Sequence, residues 1–194
     1  MIKNLLKGIC LVLLVKLYNQ KKVSFLISGG GSNLLKILKK NYLNKDFKVD
    51  TIVSNNNISI KIKSYLDRFY KNVLVRECQR TLQKKIFENT DVIFSVGYMR
   101  VIDKSIIDNF DVINLHPSIL PYYKGLMTQK RMLINNENYY GFTIHKVSLE
   151  LDDGQIISVK AKKVNTKSEY KLLKKHKSLE HKFVYKKIVD YLLN

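Results

Sequence analysis

Cysteine, proline and tryptophan are nearly missing from this chain: two, two and none in 194 residues. Cys10 and Cys78 lie far apart and form no CxxC pair. That excludes a disulfide scaffold and a cysteine-based zinc site. With both prolines, Pro117 and Pro121, in one short stretch, no proline-rich linker divides the chain. The apolar run Gly8–Val15 is too short to span a bilayer. Acidic residues are also scarce, 16 Asp plus Glu against 35 Lys plus Arg, for a formal net charge of +19. Three signatures are absent as well: the HExxH of a zinc peptidase, the GxSxG elbow of a serine hydrolase and the GxGxxG of a dinucleotide fold.

What is present describes one packed domain. Hydrophobic residues make up 45% and charged residues 26%, which fits a globular core and not a disordered chain. The positive charge invites a nucleic-acid reading, since clustered Lys and Arg bind phosphate backbones by releasing counterions. Basic residues are spread along the whole chain, however, and no aromatic-interleaved RNA-binding motif occurs. A compositional bias toward Lys, Asn, Ile and Tyr accounts for the charge better, and no nucleic-acid partner is expected. The field still favours anionic metabolites. Residues 1–22 are set apart as an extension whose role is left open between a transit segment, a surface helix and a misplaced start. Residues 23–194 form the domain, read as cytoplasmic with no membrane partner, and as a monomer or homodimer.

From Lys22 onward, apolar runs alternate with amphipathic segments. Strands are expected at Val23–Ser28, Val49–Ser54, Asn72–Val75, Asp91–Val96 and Asp111–Leu115. Helices are expected at Ser32–Lys40, Ser59–Phe69, Arg80–Glu88 and Lys104–Asn109. This order implies a mostly parallel, Rossmann-like α/β sheet with right-handed crossovers. After Pro121 the rhythm changes. A helix at Gly125–Ile134 precedes two β-rich runs, Gly141–Leu149 and Gln155–Val164, so the second half is expected to be mixed or antiparallel. Ser178–Leu193 reads as a C-terminal amphipathic helix, and His176 and His181 as solvated helix positions.

Three stretches carry chemistry. In ISGGGSNLL, Ile27 to Leu35, glycines follow a strand and open a helix. Backbone can approach a ligand closely there, and the helix offers free N–H groups to a phosphate. The plainer alternative is an ordinary turn with Ser32 as helix cap. In INLHPSILP, Ile113 to Pro121, Asn114 and His116 stand two apart at the end of a strand, so their side chains share a face. Both can donate hydrogen bonds to a developing oxyanion. In HKVSLELDDG, His145 to Gly154, Asp152 lies on a turn and offers a carboxylate to a histidine. Taken locally, that last stretch is simply an acidic β-turn. His116, His145 and Asp152 lack any metal-ligand spacing, and no metal is expected.

Together, SGGGSNL, DVIFSVGYMRVI, NLHPSILP, GFTIHKV with LDDG, and KSLEH resemble the phosphoribosylglycinamide formyltransferases, folate-dependent enzymes of purine synthesis. The resemblance runs from about Val23 to Tyr191 and implies the formyltransferase fold. It implies a catalytic trio of Asn114, His116 and Asp152, with His145 in support. It implies that Gly31, Ser32 and Asn33 hold the substrate phosphate with Lys177, that Glu180 accepts hydrogen bonds from substrate, and that Pro117 shapes the pocket. Met99, Arg100 and Val101 would line the site of 10-formyltetrahydrofolate, largely through backbone groups. Both ligands are small molecules.

Several positions depart from the family pattern. The segment between Val75 and Asp91 is short, leaving Arg76 and Arg80 as weak candidates for the folate tail. Met127 and Tyr140 stand where histidine is common, Asp153 and Gln155 replace Gly and Pro, and Lys186 replaces Pro. The competing readings are a related formyltransferase acting on a sugar nucleotide or on methionyl-tRNA, and a non-catalytic basic homologue.

Overall fold

The computed structural model describes residues 20–77 and 81–194. Cys10, Cys78, Arg80 and all but the last three positions of the 1–22 extension lie outside the described residues.

Strands β1 (Lys22–Ile27), β2 (Lys48–Ser54), β3 (Leu74–Glu77), β4 (Val92–Ser95), β5 (Asp111–His116), β6 (Tyr139–Lys146) and β7 (Ile156–Lys163) form one sheet in the order β3-β2-β1-β4-β5-β6-β7. The first five are parallel; β6 and β7 run antiparallel to their neighbours. The helices are α1 (Ser32–Asn44), α2 (Ile60–Phe69), α3 (Lys104–Ile107), α4 (Thr128–Ile134) and α5 (Glu169–Leu192).

Strand β1 shows why the sheet is central. Val23, Phe25 and Ile27 enter one core with Leu34, Ile37 and Leu38 of α1 and Leu179, Val184 and Ile188 of α5. Leu26 points the other way, into a second core with Ile93, Phe87 and Ile106. Side chains alternate across a strand, so a strand buried on both faces reads as a continuous apolar run. The chain leaves β1 for β2 and β3 on one side, then returns to β4 on the other. The crevice beyond the carboxyl ends of β1 and β4 is therefore a topological switch point, where open α/β sheets place their ligands.

Three expected elements change. In place of a helix at Arg80–Glu88 there is a single 3-10 turn, Lys84–Phe87, anchored by fully buried Phe87. The helix expected at Gly125–Ile134 begins only at Thr128, because Gly125 and Met127 adopt positive φ (78° and 56°) that a helix cannot accommodate. The C-terminal helix begins at Glu169, capped by the Ser168 hydroxyl, which accepts from the Lys171 N–H at 3.4 Å. Its first turns are lysine-rich and look solvated, but Leu172, His176 and Leu179 form a buried stripe at helical spacing.

Candidate active site

The turn Gly29–Gly31 leads from β1 into α1. Gly31 caps α1 with φ 53°, and a Cβ there would lie 2.3 Å from Ile62 Cδ1. Position 31 therefore requires glycine for both conformation and space. Ser32 is the first residue inside the helix, so the reading of Ser32 as cap is corrected; its Oγ lies 3.4 Å from His181 Nε2. The first-turn N–H groups of α1 have no partners within the helix and face the crevice with the positive end of its dipole.

Helix α5 passes beside this turn. Asn33 Nδ2 donates to Glu180 Oε2 at 2.8 Å, and Lys177 Nζ lies 3.5 Å from the same oxygen. His176 Nδ1 stands 3.4 Å from Glu180 Oε1. Burial pushes the Glu180 carboxyl up, but the His176 hydrogen bond, the Lys177 charge and the Asn33 amide outweigh it and hold the group below the usual carboxylate range. His176 is buried, and the expectation of a solvated position is overturned for it. His181 is half-buried, and desolvation together with Lys177 and Lys36 keeps it below the ordinary histidine value. Asn33, Pro117, Gln129, Lys177 and Glu180 help line a cleft of about 490 Å³.

Strand β5 brings in the second group. Its antiparallel register with β6 sets Asn114 opposite His145, and Asn114 Nδ2 is 3.2 Å from His145 Nε2. His145 Nδ1 donates to the Lys146 carbonyl at 2.7 Å, which orients the ring with Nε2 toward Asn114 and Asp152. Asp152 reaches both rings: Oδ2 is 3.2 Å from His116 Nδ1 and Oδ1 is 3.6 Å from His145 Nε2. Asp152 has φ 50°. The turn carrying it is clamped to β6 at Gly154, where a Cβ would meet the Lys146 carbonyl oxygen at 1.8 Å. Burial opposes ionisation of Asp152, yet the His145 ring beside it, the Gly125 N–H, which donates at 2.8 Å, and the His116 ring hold its carboxyl below the usual value.

His116 faces an acceptor at each ring nitrogen, Asp152 at Nδ1 and the Tyr123 carbonyl at Nε2, 2.9 Å away. A neutral imidazole donates once; only the imidazolium donates to both. Burial dominates and holds His116 below the ordinary histidine range, against the pull of those two acceptors. Asn114, His145 and Asp152 also border a smaller cleft of about 150 Å³, walled by Arg100, Val101, Ile102, Val147 and Leu151. Met99 is not on that wall: its side chain is exposed and its N–H donates to Ser28 Oγ at 2.7 Å. Alternation along β5 thus presents Asn114 to the smaller cleft and Leu115, with Pro117 beyond the strand, to the larger one.

Residues 21–188 match the family described as Formyl transferase. The chain belongs to that family. Among relatives, it is 30% identical over 156 residues to the phosphoribosylglycinamide formyltransferase of Haemophilus influenzae, covering 71% of this chain and 70% of that one. It is 29% identical over 155 residues to the trifunctional purine biosynthetic protein adenosine-3 of Chironomus tentans, again 71% of this chain, but spans only 11% of that longer protein. Among solved structures, the phosphoribosylglycinamide formyltransferase of Campylobacter jejuni superposes with a TM-score of 0.77 at 28% identity, covering 89% of this chain and 97% of that one.

For a formyl transferase, the larger cleft beside α1 and the smaller cleft bordered by Asn114, His145 and Asp152 can hold an acceptor and a donor. They can also present hydrogen-bond donors to an oxygen that gains charge between them. Among the described residues no group of His, Cys, Asp and Glu is arranged to hold a metal ion, and no helix is long and apolar enough to cross a membrane. Sequence reasoning missed the Tyr123 carbonyl and the Gly125 N–H, since backbone contacts leave no residue-type signal. It also missed His176, whose signal was the i, i+4 spacing to Glu180.

Proposed function

We propose that this chain transfers a formyl group from 10-formyltetrahydrofolate to the amine of glycinamide ribonucleotide. One observation carries the reading: Asn114, His145 and Asp152, the last touching His116, border a partly apolar cleft walled by Val101, Ile102, Val147 and Leu151, while Leu115 and Pro117 of the same strand end border a second cleft with Asn33 and Lys177. The partly apolar cleft suits a flat heteroaromatic ring, with polar groups at one edge. The folate, when bound, supplies the formyl carbonyl.

The protein's own groups do the rest. The N–H groups of Ser32 and Asn33, with the Lys177 ammonium, hold the phosphate of the acceptor. Pro117 stiffens the wall beside it. When the acceptor amine attacks, the formyl oxygen gains negative charge. Asn114 Nδ2 donates to that oxygen, and His116 turns its Nε2–H to it from the Tyr123 carbonyl while Nδ1 stays on Asp152, the term that is usually largest in acyl transfer. The new negative charge also reverses the balance that keeps His116 neutral, because an anion beside the ring favours its protonated form. Asp152, ionised and touching His116 Nδ1, stabilises the imidazolium and, through water, takes up the proton released by the amine. Juxtaposing two substrates in adjoining clefts supplies the proximity that makes a covalent enzyme intermediate unnecessary.

The test is formyl transfer from 10-formyltetrahydrofolate by the purified chain, with glycinamide ribonucleotide, an amino-sugar nucleotide and methionyl-tRNA offered in turn as acceptor. Turnover with the first alone supports the proposal. Preferred turnover with either other acceptor, or none with any, overturns it.

A further inference from the structure

The loop from Tyr122 to Met127 touches both members of the His116–Asp152 pair through its backbone. The Tyr123 carbonyl meets His116 Nε2, and the Gly125 N–H donates to Asp152 Oδ2 at 2.8 Å. Tyr123, Gly125 and Met127 all have positive φ (57°, 78° and 56°). Two of the three are not glycine, so contacts from outside the loop must hold it in a conformation its side chains disfavour. Arg131 of α4 makes such contacts. Its Nη1 donates to the Lys124 carbonyl at 2.6 Å and to the Leu126 carbonyl at 3.3 Å, and its guanidinium carbon lies 5.3 Å from the centre of the Tyr123 ring. The Lys124 carbonyl and the Gly125 N–H belong to one trans peptide group, so they point in opposite directions. Arg131 grips one end of that group and Asp152 the other. A cation on the carbonyl makes the N–H a stronger donor, and a hydrogen bond to an ionised group is stronger than one between neutral groups.

Building on the proposed function, we infer that Arg131 is a positioning residue for the Asp152 carboxylate, acting through the Lys124–Gly125 peptide group. Arg131 lines neither cleft. It fixes the N–H that meets Asp152 Oδ2, the same oxygen that stands 3.2 Å from His116 Nδ1. Burial raises the Asp152 carboxyl; the His145 ring and then the Gly125 N–H are the largest influences lowering it. The other charged and titratable groups around Asp152 are His116 on β5, His145 on β6, and Arg100 and Glu150 on the wall of the smaller cleft. Lys124, on the loop itself, pairs with the neighbouring Asp153.

The experiment compares wild type, Arg131→Met and Arg131→Lys in formyl transfer to glycinamide ribonucleotide, and repeats Arg131→Met in the Asp152→Asn protein. Methionine keeps an apolar stem and removes charge and donors; lysine keeps the charge. Arg131 is exposed, so neither change opens a cavity. Arg131→Met is expected to lower kcat about fivefold with KM for the acceptor unchanged. The acid limb of kcat should move about half a unit to higher pH, because a less supported carboxylate takes up its proton sooner as pH falls. Arg131→Lys should stay within about twofold of wild type. In the Asp152→Asn protein, Arg131→Met should cost less than about twofold, since no carboxylate is left for it to act on. The NMR shift of the Gly125 amide proton, followed against pH without substrate, reports the Asp152 carboxyl directly; its midpoint should rise in Arg131→Met. An Arg131→Met rate within twofold of wild type, a lysine variant no better than methionine, or an equal loss with and without the Asp152 charge overturns the inference, the last because Arg131 would then only brace the loop. If the wild type fails to formylate glycinamide ribonucleotide but the Gly125 midpoint rises in Arg131→Met, the proposed function falls and the role of Arg131 stands. If the wild type formylates it and the midpoint does not move, the role of Arg131 falls alone.

Discussion

Replacing Asp152 with asparagine isolates the role of one charge. The side chain keeps its size and an acceptor for the Gly125 N–H, so the turn on which it sits is retained. What disappears is the negative charge 3.2 Å from His116 Nδ1. At an effective dielectric of about 20, two unit charges at that separation attract by about 5 kcal/mol. The amide dipole replaces part of this, and water in the adjoining clefts screens more, so roughly 3 kcal/mol of imidazolium stabilisation is lost at the transition state. That corresponds to a kcat lower on the order of a hundredfold. KM for the acceptor should not move much, because Asp152 borders the smaller cleft and not the larger one beside α1. Single-turnover formyl transfer with both substrates saturating measures the effect directly. A variant within about threefold of wild type would show that His116 needs no anionic partner, and the electrostatic account of the cluster would fail.

Three further outcomes follow from the same geometry. His116→Ala removes an oxyanion donor and should lower kcat by a hundredfold or more, with modest change in the binding of either substrate measured by calorimetry; retention of most of the rate would refute the catalytic assignment. Gly154→Ala would bring a Cβ within 1.8 Å of the Lys146 carbonyl oxygen, so the turn must shift and Asp152 with it; both the melting temperature and kcat should fall, and a variant unchanged in both would mean the turn is not clamped. His116, Asp152 and Glu180 all bind protons more weakly folded than the same side chains do in ordinary surroundings. Stability should therefore be full above about pH 6.5, decline first as His116 takes up its proton, and decline again below about pH 4.5 as the carboxyls do. Denaturant unfolding followed across that range checks this, with Glu180→Gln expected to flatten the more acidic step.

The sequence by itself determined the local grammar. Apolar runs flanked by glycine or polar turns had to become buried strands, because a strand covered on both faces has no side left for charge. SGGGSN had to be a turn from a strand into a helix, and NLH had to present Asn114 and His116 on one face of a strand end. Those inferences need only neighbours along the chain. The third helix and the start of α5 were not legible in that way. Phe87 is buried by a single 3-10 turn, and the lysines around His176 conceal an apolar stripe that only the packing against α1 and β6 reveals. The tertiary structure decided which distant groups meet. Asp152 lies 36 positions after His116, and nothing local joins them. The antiparallel return of β6 beside β5 sets His145 opposite Asn114 and carries the Asp152 turn back over the strand end. Likewise, Glu180 reaches Asn33 across 147 positions because α5 packs against α1. Strand order and helix packing are settled by the free energy of the whole core, so residue spacing can nominate the chemistry at each stretch but only the folded sheet can assemble it.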